Sequence, residues 1–189
     1  MSMVEVCWHG RGGQGAKTAS QFLGEAALET GKYIQAFPEY GPERAGAPMR
    51  AYTRISDEPI YVHSSVTKPD VVIVIDPTLL KAVDVAEGLS QDGILLVNSD
   101  KAPEEIRKEI SFKKGKVGTV DATKIALDTL KIHMPNMPML GAFLKVNSIV
   151  SIDEVSQVVR AKFIKKIGEE KTNGNIEGIK RAYNELRLE

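Results

Sequence analysis

Val4-Glu5-Val6-Cys7-Trp8-His9-Gly10-Arg11-Gly12-Gly13-Gln14-Gly15 stands at the head of this sequence and decides how the rest of it is read. Val4 to Trp8 is short, largely apolar and β-prone, which predicts a buried strand. His9 to Gly15 is a glycine loop. Ala16 to Thr30 follows as a helix rich in small residues, with Ala19, Phe22, Leu23, Ala26 and Ala27 on one stripe and Gly31 as its C-terminal stop. Strand, glycine loop and helix N-terminus together make an anion site. The first amides of a helix lack internal partners, its dipole is positive there, and glycines let the backbone approach a phosphate. Arg11 adds a guanidinium suited to bidentate phosphate contact, and Gln14 a neutral donor.

Outward from this unit, strands and helices alternate. Tyr33 to Phe37 reads as the second strand, stopped by Pro38. Pro38 to Pro48 is loop, Arg50 to Ile55 a strand, and Ile60 to Val62 a short one. Val71 to Ile75 is a continuous apolar run, as in a strand covered on both faces, and Asp76-Pro77 ends it. Leu79, Leu80, Val83 and Ala86 then share a helical face, with Gly88 behind. Ile94 to Val97 is a strand, a short helix starts near Pro103, Lys116 to Val120 is the last strand, and Thr123 to Leu130 is a helix. From Met139 the pattern is helical. Ser151-Ile152-Asp153-Glu154 is a capping box for a helix whose stripe is Ile152, Val155, Val159, Phe163 and Ile167. Asn175 to Leu188 is a final amphipathic helix. The expectation is an α/β fold: a mainly parallel sheet, helices on both faces, and a helical C-terminal segment, with residues 1–189 forming a single domain.

Composition bounds the function. The 189 residues carry 25 Lys plus Arg against 25 Asp plus Glu, so the net charge is zero, and no excess favours nucleic acid or an anionic membrane. The single cysteine, Cys7, forms no internal disulfide and cannot hold an iron–sulfur cluster, which needs about four thiolates. His9, His63 and His133 lack zinc-ligand spacing. There is no basic segment followed by an apolar core at the N-terminus, and the longest apolar run is too short for a bilayer, so the cytoplasm is expected.

Two familiar motifs nearly fit the loop. Gly10, Gly12 and Gly15 match G-x-G-x-x-G after a strand, the dinucleotide fingerprint, and keep a stand-alone nicotinamide-dependent oxidoreductase as the alternative. That fold wants an acid at the end of the second strand. Tyr33 to Phe37 has none, and Glu39 lies past Pro38. In a phosphate-binding P-loop, Lys should follow Gly15 directly. Here Ala16 does, and Lys17 comes one residue late, about 100° around a helix.

In a parallel sheet the second loop, Pro38-Glu39-Tyr40-Gly41-Pro42-Glu43-Arg44-Ala45-Gly46, should leave on the same side as the first. Arg44 could face an anion and Tyr40 could stack or hydrogen-bond; a rigid, solvated surface turn explains them equally. Of the remaining singles, Cys7 reads as core, and His9 as a turn residue or ligand contact. Asp76 reads as a ligand-side residue or, equally, the cap of the Thr78 helix. Met134, Met137 and Met139 read as an adaptable apolar loop.

The paired loops resemble those of the gamma subunits of 2-oxoacid:ferredoxin oxidoreductases, most closely the pyruvate enzymes. That family carries G-x-G-G-Q-G after its first strand, here Gly10-Arg11-Gly12-Gly13-Gln14-Gly15, and a P-x-Y-G-x-E-x-R-G-G-like loop, here Pro38 to Gly46, with Ala45 where Arg is common. Ala45 and Ala47 depart from the pattern, whereas Asp76 and Leu140-Gly141-Ala142 match it. The resemblance covers Val4 to about Phe163. It implies a Rossmann-like gamma chain, inactive alone, in a cytoplasmic hetero-oligomer with alpha, beta and delta-type subunits. That complex would decarboxylate pyruvate or a related 2-oxoacid, form an acyl-CoA and reduce ferredoxin. Thiamine diphosphate, magnesium and iron–sulfur clusters would belong to the partner subunits. Coenzyme A would meet this chain at Gly10, Arg11, Gly12, Gly13, Gln14, Gly15, Tyr40 and Arg44. No catalytic residue and no metal ligand is expected here, nor any nucleic-acid or membrane contact.

Overall fold

In the structure, a computed structural model, residues 3–40 and 46–189 are described. The chain runs β1 (Val4–Arg11), α1 (Ala16–Glu29), β2 (Tyr33–Tyr40), β3 (Pro48–Ser56), β4 (Val71–Val74), a 3-10 turn (Pro77–Lys81) and β5 (Ile94–Asn98). It continues through α2 (Pro103–Glu109), β6 (Lys116–Val120), α3 (Ala122–Leu130), α4 (Asn136–Val146), α5 (Ile152–Glu185) and β7 (Arg187–Leu188). The strands form one sheet in the order β2-β3-β1-β4-β5-β6-β7. Its centre is parallel, β1 with β4, β4 with β5 and β5 with β6. Antiparallel strands flank it: β3 pairs with both β1 and β2, and β7 with β6. This is the expected α/β architecture with a parallel core.

Alternation along β1 builds two cores. Val6 and Trp8 face one cluster with Ala19, Leu23, Ile73, Leu96 and Phe143, covered by α1, α4 and α5. Cys7 faces the other, with Tyr52, Val72, Val74, Leu95 and Val117. The small residues of α1 let it lie close on the sheet. A Cβ built on Gly10 would stand 3.3 Å from the Ala16 Cβ, so a larger residue there would push helix from strand.

Several local expectations change. Pro38 does not stop the second strand, which runs to Tyr40. β2 is an edge strand, where a residue without an N–H is tolerated. Residues 60–62 form no strand. The helix read over Leu79 to Ala86 shrinks to Pro77–Lys81, because Asp84 turns its side chain onto the Ala86 amide at 3.1 Å and competes with helical bonding. β6 is not the last strand, since Arg187–Leu188 pair with it. The Ser151 capping box is present, with its Oγ accepting from Glu154 N at 3.2 Å and Glu154 Oε2 accepting from Ser151 N at 2.6 Å. The two expected C-terminal helices are both present within Ile152–Glu185, parted at Gly168 (φ 82, ψ 170), so the second begins before Asn175.

Candidate functional site

β1 and β4 are adjacent and parallel, but the chain leaves them toward opposite faces. After β1 it turns into α1 on the first core, and after β4 it turns into Pro77–Lys81, whose Leu79 is buried in the second. A sheet that parts this way opens a crevice at the carboxyl ends of the two strands. The glycine loop and Asp76 stand there.

The loop is a tight turn fixed from both sides. Gln14 N donates to Arg11 O at 3.0 Å, Arg11 N donates to Gln14 Oε1 at 2.7 Å, and Gly12 N reaches across to Ala47 O at 3.1 Å. The last contact brings the second loop's far end beside the first, as expected from their strand ends. Gly13 and Gly15 take φ of 95° and 80°, a region that L side chains rarely adopt, and Gly15 is the N-cap of α1. Among the described residues nothing lies within 4 Å of where a Gly13 Cβ would be, so that face of the turn is open to them. Gly15 is covered by Asn136, whose Nδ2 donates to Gly15 O at 3.2 Å and whose Oδ1 has no hydrogen-bond partner.

Arg11 is anchored. Its Nε donates to Asp76 Oδ2 at 3.1 Å, Nη2 to Thr78 Oγ1 at 3.0 Å and Nη1 to Gly46 O at 3.2 Å. Each terminal nitrogen keeps a second N–H, and the side chain is 31% exposed. Gln14 Nε2 donates to the same Asp76 Oδ2 at 2.7 Å. Asp76 Oδ1 accepts from Thr78 N at 2.9 Å and Thr78 Oγ1 at 2.7 Å, so the capping role read from the sequence is present alongside a ligand-side position. Burial pushes the Asp76 carboxyl up, but bonds from Thr78 and Gln14 and the Arg11 charge outweigh it and hold the acid below its usual range.

The other candidates fall elsewhere. His9 is buried within β1, its Nε2 3.5 Å from Cys7 Sγ. Burial and the Arg50 charge lower its pKa to about 4, and burial raises the Cys7 thiol to about 12. Glu39 accepts from Tyr52 Oη at 2.6 Å and Ser65 Oγ at 3.0 Å, with β3 between it and β1. Its carboxylate is thus engaged away from the place a ribose would occupy. Lys17 is exposed on α1. Arg44 and the side chain of Tyr40 lie outside the described residues. An apolar cleft of about 300 Å³ borders Gly13, Gly15 and Thr18 on the far side of the loop, walled by Met134, Phe163 and Ile167. Sequence reading missed two features: the bonds from Arg11 and Gln14 to Asp76, and Asn136 on Gly15. Neither has a local signal, since Asn136 lies 121 residues from Gly15. Among the described residues no group of three or more His, Cys, Asp or Glu is placed for a metal ion, and no helix is long and apolar enough to cross a membrane.

These features define an α/β chain with an anion-ready glycine turn at the switch point of its sheet. The model of the pyruvate ferredoxin/flavodoxin oxidoreductase family matches residues 5–185. The chain is 54% identical to pyruvate synthase subunit PorC of Thermotoga maritima over 183 residues, covering 97% of this chain and 94% of that one. The crystal structure of pyruvate oxidoreductase subunit PORC from Thermotoga maritima superposes with a TM-score of 0.88 at 50% identity, over 100% and 99% of the two chains. The 2-oxoglutarate:ferredoxin oxidoreductase of Magnetococcus marinus, solved with 2-oxoglutarate, coenzyme A and succinyl-CoA, shares the fold with a TM-score of 0.78 at 20% identity. That match covers 97% of this chain and 31% of that one. The chain belongs to the pyruvate ferredoxin/flavodoxin oxidoreductase family, as a gamma-type subunit of a pyruvate:ferredoxin oxidoreductase.

Proposed function

We propose that this subunit holds the phosphates of coenzyme A at Gly10, Arg11, Gly12, Gly13, Gln14 and Gly15, with Tyr40 and Arg44 of the second loop completing the contact. The observation that carries the reading is the anchored guanidinium of Arg11 at the switch point, with an N–H to spare on each terminal nitrogen. Open space at Gly13 and the first amides of α1 supply the rest of an anion cradle. The Magnetococcus enzyme, solved with coenzyme A bound, lends support at the level of the fold. Residues 1–189 act as one gamma-type domain that assembles in the cytoplasm with alpha, beta and delta-type chains. Those chains hold thiamine diphosphate, magnesium and the iron–sulfur clusters, and the complex passes electrons to ferredoxin while turning pyruvate or a related 2-oxoacid into an acyl-CoA.

The test is Arg11→Ala in the assembled enzyme. Losing a charge-assisted hydrogen bond costs about 1.5–3 kcal/mol, so the apparent KM for coenzyme A should rise about tenfold or more. Decarboxylation of the 2-oxoacid without coenzyme A should change little. An unchanged dependence on coenzyme A would refute the assignment.

A further inference from the structure

We infer that Asp76 is the positioning residue of this site, setting the shape of the glycine loop and the direction of Arg11 through a single carboxylate. The inference rests on the proposed contact between the loop and coenzyme A. Asp76 belongs to a different strand exit from the loop, 65 residues on from Arg11, and is 7% exposed. Its Oδ2 receives both side-chain donors of the loop, Arg11 Nε and Gln14 Nε2. Because Gln14 Oε1 also accepts from Arg11 N, the bonds close a ring: Arg11 backbone, Gln14 amide, Asp76 carboxylate, Arg11 guanidinium. Its Oδ1 is held by Thr78 N and Oγ1, and Thr78 Oγ1 takes Arg11 Nη2. Two bonds thus fix the plane of the guanidinium, and the third, to Gly46 O, ties it to the second loop.

This arrangement has an electrostatic consequence. A bare carboxylate beside a phosphate site would repel the ligand. Here both oxygens are turned onto donors, and the negative charge is matched by Arg11. The ligand then meets donors already aimed, with little side-chain ordering left to oppose binding.

Asp76→Asn keeps the shape but replaces one acceptor oxygen with a donor, so either the Thr78 pair or the Arg11–Gln14 pair is lost. In the complete enzyme it should raise the apparent KM for coenzyme A about tenfold, leaving kcat for coenzyme A-independent decarboxylation and subunit composition within error. In an Arg11→Ala/Gln14→Ala background, Asp76→Asn should add less than about twofold, because it acts through those two side chains. Thr78→Val is the milder probe, keeping the capping amide but removing the hydroxyl; it should raise the same KM about threefold. An unchanged KM in Asp76→Asn and Thr78→Val, with Arg11→Ala still raising it, would overturn the role of Asp76 and leave the coenzyme A reading standing. No change in any of the three would overturn both. An equal rise with and without Arg11 and Gln14, accompanied by lost assembly, would make Asp76 merely structural and end the inference.

Discussion

Gly13 and Gly15 sit two residues apart in the same turn, share a left-handed backbone, and should respond very differently to a methyl group. For either, Ala at positive φ costs about 1–2 kcal/mol of backbone strain. At Gly13 that is the whole effect, since among the described residues nothing lies within 4 Å of the new Cβ. At Gly15 the new Cβ would stand 2.8 Å from Asn136 Cγ and 3.3 Å from Asn136 Cβ, and forcing extra carbon into such a contact adds about 1–3 kcal/mol. Gly15→Ala should therefore destabilise by roughly 1–3 kcal/mol more than Gly13→Ala. In a chain of this size each kcal/mol lowers the melting temperature by about 2–4 °C. Urea titrations of both variants measure the difference. A second substitution separates strain from crowding. Asn136→Ala removes the Cγ that clashes, along with an Oδ1 that has no partner, and should recover most of the crowding term in Gly15→Ala while doing nothing for Gly13→Ala. Equal losses at the two glycines, or no recovery with Asn136→Ala, would show that Asn136 does not crowd this position.

Two further predictions use the buried pair under β1. His9 is neutral in the fold, its pKa lowered from 6.5 to about 4, whereas the unfolded chain protonates it near 6.5. Its contribution is thus complete above pH 6.5 and lost as pH falls toward 4, by at most about 3 kcal/mol. Comparing urea midpoints at pH 7 and pH 5, His9→Gln should show a smaller drop than the parent; an equal drop refutes the assignment. Cys7 is 4% exposed with its thiol raised to about 12, so iodoacetamide at pH 8 should label it only after unfolding. Labelling of the folded chain as fast as of the unfolded one would refute its burial.

The strand–loop–helix unit was legible because every signal in it is local: a β-prone run, glycines, then a helix of small residues. The parallel centre was legible too, because Val71 to Ile75 is apolar at every position and so must be covered on both faces. What escaped depends on neighbours. Pro38 breaks a central strand but not an edge strand, and nothing near it says that β3 folds back between β1 and β2. That inserted strand also moves Glu39 away from β1. The end of the chain was read as a helix to Leu188, but Leu186 leaves helical geometry and Arg187–Leu188 pair with β6. At the site, Arg11, Gln14 and the four glycines were visible as donors and turn formers. Their common acceptor was visible only as an acid after a strand. Which side chains meet across 65 residues is set by strand order, not by spacing.

The two margins of the sheet present themselves differently to a strand from another molecule. On one side β7 lies along β6, and Arg107 grips the Glu189 side chain while Glu189 N donates to Val117 O at 3.2 Å. A strand from another molecule finds those backbone groups already taken. On the other side no strand lies beyond β2 among the described residues. There Pro38, in register with Ala51, leaves a gap in the row of donors that a foreign strand would need. A foreign strand thus meets groups of β6 already taken at one margin and a missing N–H at the other.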